Sequence, residues 1–241
     1  MSLRDVVSVV GVAALAVGMT NAASAATETF DFYRISDNSA DTGTAANLKV
    51  DVSDDGVGPN QVAFTFYWAG SPSGSIAEVY FDDGTLLGIA AVDDSDPGVS
   101  FNNGGSANPP ELPEGNNFMI NGTGPYQFQT TAGFLADADP GNASAVQLGE
   151  SLTIIFDLIG GQSFADVIDA MNSAWTLPPG DSTDPITNTG GLVIGVHVRA
   201  QSDGESDSFI TVPGEIIPLP MTFGLGMAGL APLALRRRRT L

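Results

Sequence analysis

The chain has no cysteine, a single histidine, and 8 Lys+Arg against 28 Asp+Glu. Each shortage removes a class of function. Without thiols there is no disulfide framework, no thiolate nucleophile and no Cys-based metal site. With a formal net charge of -20, binding of nucleic acid through phosphate neutralisation is excluded, because that needs clustered surface cations. His197 is the only imidazole available for acid–base or metal chemistry. Hydrophobic residues nevertheless make up 43% of the chain. That is too many for an acidic disordered tail, so a globular body with an acidic surface is expected.

The few cations are unevenly placed. Arg4 and the run Arg236, Arg237, Arg238, Arg239 lie in the terminal segments, leaving Arg34, Lys49 and Arg199 in between. Three regions follow: 1–25, 26–216 and 217–241. The middle region holds 27 acids against 3 cations, a net charge of −24, and its length suits one β-domain.

Residues 1–25 read as a secretory signal peptide. Arg4 gives a short charged start, 6–19 are apolar and small, and Ala23-Ser24-Ala25 is a small-x-small site. Cleavage is expected before Ala26, on recognition of Ala23 and Ala25 by signal peptidase. The alternative is an uncleaved anchor, for which the apolar run is short of the ~20 residues a span needs.

At the other end stands Ile217-Pro218-Leu219-Pro220, then an apolar run over 221–235, then the four arginines. From Ile216 to Leu235 the stretch is just long enough for a transmembrane helix. The arginines would stay on the cytoplasmic side and the body would face outward. A plain membrane anchor would share these features.

The combination resembles the PEP-CTERM class of C-terminal sorting signals, in the Val-Pro-Leu-Pro-Ala variant. Pro218, Leu219 and Pro220 match the motif, and Arg236, Arg237, Arg238 and Arg239 match the cytoplasmic stop. Ile217 stands for the usual Val and Met221 for the usual Ala. The resemblance implies processing by an exosortase in a Gram-negative inner membrane. It also implies transient anchoring there, then release to the cell surface or extracellular matrix, where polysaccharide is an expected partner. The body, especially Val79-Tyr80-Phe81-Asp82-Asp83-Gly84 and 192–198, also looks like other exported proteins carrying such tails.

Within 26–216 several segments alternate with period two: Phe30 and Phe32; Leu48, Val50 and Val52; Val62, Phe64, Phe66 and Trp68; Leu152, Ile154, Phe156 and Leu158; Leu192, Ile194, Val196 and Val198. Residues 76–82 are strand-like with a mixed pattern, and 209–212 form another short segment. Such stripes mean one buried and one wetted face, as in antiparallel sheets. Asp55-Gly56, Asp83-Gly84, Pro97-Gly98, Pro140-Gly141 and Asp203-Gly204 punctuate them. One helix is expected after Ser163 as N-cap, with Asp166 in its first turn and Phe164, Val167, Ile168 and Met171 on one face. Residues 102–117 and 177–191 read as long loops. The expected fold is all-β: a single antiparallel β-sandwich of seven to nine strands, Ig-like or jelly-roll, with one short surface helix.

Catalytic constellations are scarce. His197 alternates with Val196 and Val198, so it is expected on a solvated face. No Gly-x-Ser-x-Gly elbow is present. Asp41-Thr42-Gly43 occurs once, in a polar stretch, and reads as a turn. A carboxylate-based glycoside hydrolase would need only two acids, which this composition always offers. No cofactor is required by any motif. The one candidate ion is Ca2+, for which Asp93, Asp94 and Asp96 form one acidic turn and Asp137 and Asp139 a second; Asp is also common in turns for its own backbone bonding. For glycan binding the candidate aromatic platforms are Tyr67, Tyr80 and Trp175, with Trp68 expected in the core. The function expected is that of a non-enzymatic surface or matrix protein, with polysaccharide binding as the alternative.

Overall fold

A computed structural model describes residues 26–213 except 71–73, 84, 104–110, 132, 176–185 and 188–190. Both terminal segments, with Ala23, Ala25, Pro218, Leu219, Pro220 and Arg236 to Arg239, lie outside the described residues. Ala26 is the first described residue and is exposed. Among the described residues no helix is long and apolar enough to cross a membrane.

In chain order the strands are β1 (Thr27–Arg34), β2 (Leu48–Ser53), β3 (Gln61–Trp68), β4 (Ser75–Asp82), β5 (Leu86–Asp93), β6 (Phe101–Asn103), β7 (Phe118–Ile120), β8 (Thr123–Gln127), β9 (Leu135–Ala138), β10 (Ser151–Leu158), β11 (Ile186–Thr187), β12 (Val193–Arg199) and β13 (Asp207–Thr211). Ten of them make one antiparallel sheet in the order β5-β10-β3-β2-β1-β13-β12-β4-β9-β6, and β11-β8-β7 make a small second sheet. The fold is therefore all-β, as expected, with its main ladder in one continuous sheet.

That sheet curls on itself. In a flat sheet β3 and β4, five strands apart, would be about 24 Å from each other. Yet the rings of Phe64 on β3 and Phe81 on β4 are 5.4 Å apart, and Phe81 lies 4.6 Å from Phe156 on β10. The sheet is nearly barrel-like, and its concave face holds the main core. The edge strands β5 and β6 follow each other in the chain. The loop between them is pinned across the seam: Asp94 accepts a hydrogen bond from the Phe101 N–H at 2.8 Å, and Asp96 one from the Ser151 N–H at 2.7 Å.

The alternating segments form strands as their patterns dictate. β2 and β10 bury every second residue on the concave side. Trp68 is buried, and its indole N–H donates to the Val146 carbonyl at 3.2 Å. The mixed pattern of 76–82 has a physical cause. Ala77 is an extra residue in the pairing of β4 with β12, a bulge that inverts parity, so Ile76 and Val79 both enter the main core.

Two α-helices are present among the described residues, besides a 3-10 turn at Gly141–Ser144. One is the single turn α1 (Thr44–Asn47); the other is α2 (Phe164–Ser173). α2 begins where expected, with a reciprocal capping box between Ser163 and Asp166. Val167, Ala170 and Met171 are buried against the core, with Phe164 and Ile168 at its margin.

A second hydrophobic cluster lies on the convex side. There Tyr80, Leu135, Val193 and Ile210 of the main sheet, with Val212 just past β13, pack under Leu112, Phe118, Ile120, Tyr126, Phe128 and Trp175. The small sheet and its flanking segments thus cover the convex face of β13, β12, β4 and β9. Strands β4 and β13 are buried along their whole length.

Candidate functional site

The covered face holds a polar row that no single segment of sequence announces. Ser208 on β13, His197 on β12, Glu78 on β4, Asp137 on β9 and Asn102 on β6 are successive cross-strand partners. Directly opposite residues share a face, so all five side chains leave the sheet on the same side. Glu78 is completely buried, His197 is 9% exposed and Ser208 1%.

Glu78 is the centre of this row. Its Oε2 lies 2.8 Å from His197 Nδ1, and its Oε1 is contacted by the Arg199 guanidinium. A buried carboxylate needs such compensation, because desolvation of an isolated charge costs several kcal/mol. Arg199 stands two residues beyond His197 on the same face of β12, which is why one strand supplies both partners. Asp137 has its pKa raised, by burial first and then by the neighbouring charge of Glu78, against the opposing pull of Arg199. Tyr80, also on this face, is pushed far up, by burial and then by Glu78 and Asp137.

The row places a serine, a histidine and a carboxylate side by side. A nucleophilic role would require Ser208 Oγ to bond the imidazole and to meet a substrate. Ser208 Oγ makes no hydrogen bond among the described residues and is buried. In this conformation the row is an internal charge clamp across β12, β4 and β9. His197 departs from its expectation here. It does point away from Val196 and Val198, but the face it points to is covered, not solvated.

A second polar centre closes one end of the curled sheet. The carboxylate of Asp207 is fully buried. It accepts from Ser36 Oγ at 2.8 Å, from the Asn38 N–H at 2.9 Å and from Gln201 Nε2 at 3.1 Å, with the Arg34 guanidinium at 3.4 Å. Burial alone would raise its pKa; the hydrogen bonds and Arg34 outweigh that and hold it below the usual carboxylate range. Asp41 forms a turn, as its Oδ1 accepts from the Gly43 N–H at 2.8 Å.

All three body cations are spent on acids. Arg34 meets Asp37 and Asp207, Lys49 meets Asp31, and Arg199 meets Glu78; each of these cationic side chains is about three-quarters buried or more. The described surface is left overwhelmingly anionic.

The candidate calcium ligands do not form the two expected acidic turns: Asp93 ends β5 and Asp137 is on β9, with Asp94, Asp96 and Asp139 in the loops that follow. Asp93 accepts from the Ser95 N–H, Asp94 and Asp96 pin the seam, and Asp139 accepts from Asn102 Nδ2 at 2.8 Å. Asp137 belongs to the buried row. Among the described residues no three His, Asp or Glu side chains gather as a metal-binding group.

Two of the three aromatic platforms need correction. Tyr80 is fully buried, and Trp175 is 6% exposed. Trp175 packs edge-on against Phe118 and Tyr126 at 5.5 and 5.4 Å. The physical reason is the cover: the small sheet that buries both is built from short strands, which leave no periodic signal in the sequence. Tyr67 alone stays half-exposed, on the open convex face, with its hydroxyl 3.3 Å from Asp51.

Glu78 could have been found in sequence as a charge in the middle of an apolar strand, and Arg199 by its i, i+2 spacing from the only histidine. Their meeting depends on register, which no local pattern encodes. No protein-family model matches the chain, and the search of curated proteins and of solved structures finds none similar to it.

Proposed function

We propose that the chain is an exported surface or extracellular-matrix protein with no catalytic role, delivered by an N-terminal signal peptide and a C-terminal exosortase sorting signal. The observation that carries this reading is the pair of address segments, 1–25 and 217–241, bracketing a body that holds 27 of the 28 acids. In the finer reading of the fold, the two walls of the curled sheet act as the layers of a β-sandwich, between a signal helix and a transmembrane helix. An anionic, hydrated domain suits a matrix role: it repels like-charged neighbours and collects counter-ions, Ca2+ among them.

Fractionation of the producing cells with intact-mass measurement tests it. The expected mature protein starts at Ala26 and ends near Pro218–Met221, outside the inner membrane. A protein that keeps Arg239 and stays in the inner membrane overturns the sorting reading.

Polysaccharide binding is the second reading, supported by Tyr67 on the open face beside Asp51, Thr65 and Lys49. Saturable retention on matrix polysaccharide, lost in Tyr67→Ala with unchanged folding, is the expected result; retention unchanged by that substitution removes the face from consideration.

A further inference from the structure

Asp82 ends β4 on the covered convex face and is 9% exposed. It lies beneath the strap 128–131, which leads out of the small sheet. The strap is tied down by its backbone at either end. The Phe128 N–H donates to the Gly115 carbonyl at 2.8 Å, and the Thr131 N–H to the Phe81 carbonyl at 2.9 Å. Between these ties, two consecutive N–H groups donate to carboxylates: Gln129 to Asp82 and Thr130 to Glu111, each at 3.4 Å. Those are long, weak bonds.

Composition makes Asp82 unusual. The body has only three cations, and each is committed elsewhere, to Asp37 and Asp207, Asp31, or Glu78. Asp82 is thus a buried carboxylate with no cation beside it. The charged neighbours it does have are acids. Asp83 is adjacent, and Glu111 holds the next strap residue. The pairing strand β12 presents Val193 directly opposite, with its cation Arg199 at the far end of the strand, about 20 Å away. Along β4 toward that end come Tyr80, then Glu78 with His197, Arg199 and Asp137. Burial, followed by the Asp83 charge and against the Gln129 bond, moves the Asp82 carboxyl from 3.8 to about 7.

We infer that Asp82 is a proton-operated latch on the strap 128–131 and on the small sheet it leads from: protonated, it lets the cover lie closed; ionised, it drives the cover away from β4 and opens the aromatic cluster around Trp175. The reason is linkage. A closed state that disfavours the ionised carboxyl must itself be disfavoured once the carboxyl ionises, relative to any state in which Asp82 is hydrated. The shift from 3.8 to about 7 sets an upper bound of roughly a thousandfold on the change in the closed-to-open ratio. The surface uncovered is apolar and aromatic, on a body that otherwise presents charge.

The two tryptophans allow a direct test, since Trp175 is in the second cluster and Trp68 in the main core. In the full chain carrying Trp68→Phe, acrylamide quenching of Trp175 is followed from about pH 5.5 to 8.5. The expected result is a severalfold rise with its midpoint near neutrality. Asp82→Asn, which keeps the shape and cannot ionise, should hold quenching at the low, acid-side value throughout. Asp137→Asn should leave the rise in place, and so should any change confined to the seam. Amide exchange over 123–131 in the unsubstituted chain gives a second readout, with protection lost above neutral pH beyond the intrinsic base-catalysed increase. Quenching and exchange that do not change across this range, or a rise that survives in Asp82→Asn, overturn the latch.

Discussion

The two halves of the curled sheet solve opposite problems with the same strands. β5, β10, β3, β2 and β1 bury their concave side and leave the convex one open. That open side is laced by short polar links, such as Thr29 Oγ1 to Asp51 at 2.6 Å, Thr65 Oγ1 to Thr153 Oγ1 at 2.8 Å and Gln61 Nε2 to Asp157 at 2.8 Å. β13, β12, β4 and β9 bury both sides. Where a charge falls on their covered face it must be compensated, as Glu78 is by His197 and Arg199, or lose its ionisation, as Asp82 tends to do. Acids on the open half can be many because water carries them. On the covered half each acid sets a local stability problem.

The largest effect should come from breaking the clamp. Glu78→Ala leaves Arg199 and His197 facing a cavity beneath the cover, and loss of one partner of a buried pair costs about 3–5 kcal/mol. Asp31→Ala on the open half breaks a pair with Lys49 whose worth is about 0–1 kcal/mol. Urea unfolding of both variants gives the contrast. Equal losses would show that the cover excludes little water.

Glycines sharpen the comparison next. A Cβ at Gly195, on the covered face of β12, would stand 2.8 Å from a Leu112 methyl and 3.1 Å from the Phe128 ring. Gly195→Ala must push the cover outward, at about 1–3 kcal/mol. At Gly88, on β5, nothing lies within 4 Å of such an atom. Gly88→Ala should be neutral or stabilise by up to about 1 kcal/mol through the unfolded chain. Thermal denaturation of the two variants checks the sign at each site.

The open half, β5 apart, was also the more legible half. Leu48, Val50 and Val52 or Leu152, Ile154, Phe156 and Leu158 alternate because only one of their faces is buried, and α2 announces itself through Ser163 and Asp166. The covered half hides its pattern: Tyr80 and Val79 are both buried, and the Ala77 bulge breaks the period. β5 went unseen because Leu86-Leu87-Gly88-Ile89-Ala90-Ala91 carries no alternation, its pairing with β10 being interrupted by two register shifts. The strands of the small sheet are two to five residues long, too short for periodicity to register. Of the site, His197 was correctly placed opposite the Val196 and Val198 face. What covers that face is assembled from 112–128 and Trp175, distant in sequence, so its burial was not readable.

Acid titration should separate two acids of the covered half, Asp207 and Asp82, by sign. Asp207 has a lowered pKa, so its contribution is present above the ordinary carboxylate range and is lost as pH falls through its folded value. Asp82 acts the other way: its contribution is present below about pH 4 and lost as pH rises through about 7. Asp207→Asn should therefore lower stability at neutral pH and flatten the acid limb of the stability–pH curve, leaving the neutral limb intact. Denaturant midpoints measured from acid to mildly alkaline pH would show this; loss of both limbs in one variant would mean that the two carboxylates do not act independently.

The smallest effect should lie on the open face itself. Thr65 and Thr153 are cross-strand partners on β3 and β10, half-buried, with hydroxyls 2.8 Å apart. Each hydroxyl can turn to water when its partner is removed, so neither is left unsatisfied, unlike Glu78's partners under the cover. A double-mutant cycle with Thr65→Ala and Thr153→Ala should give a coupling of about 0.2–1 kcal/mol. The coupling should not vary between acid and neutral pH, because neither group ionises. A coupling of several kcal/mol, or one that follows pH, would mean that this face is shielded from water in the folded chain. The openness that distinguishes it from the β13, β12, β4 and β9 half would then be lost, and the many acids around it would need partners of the kind Glu78 has.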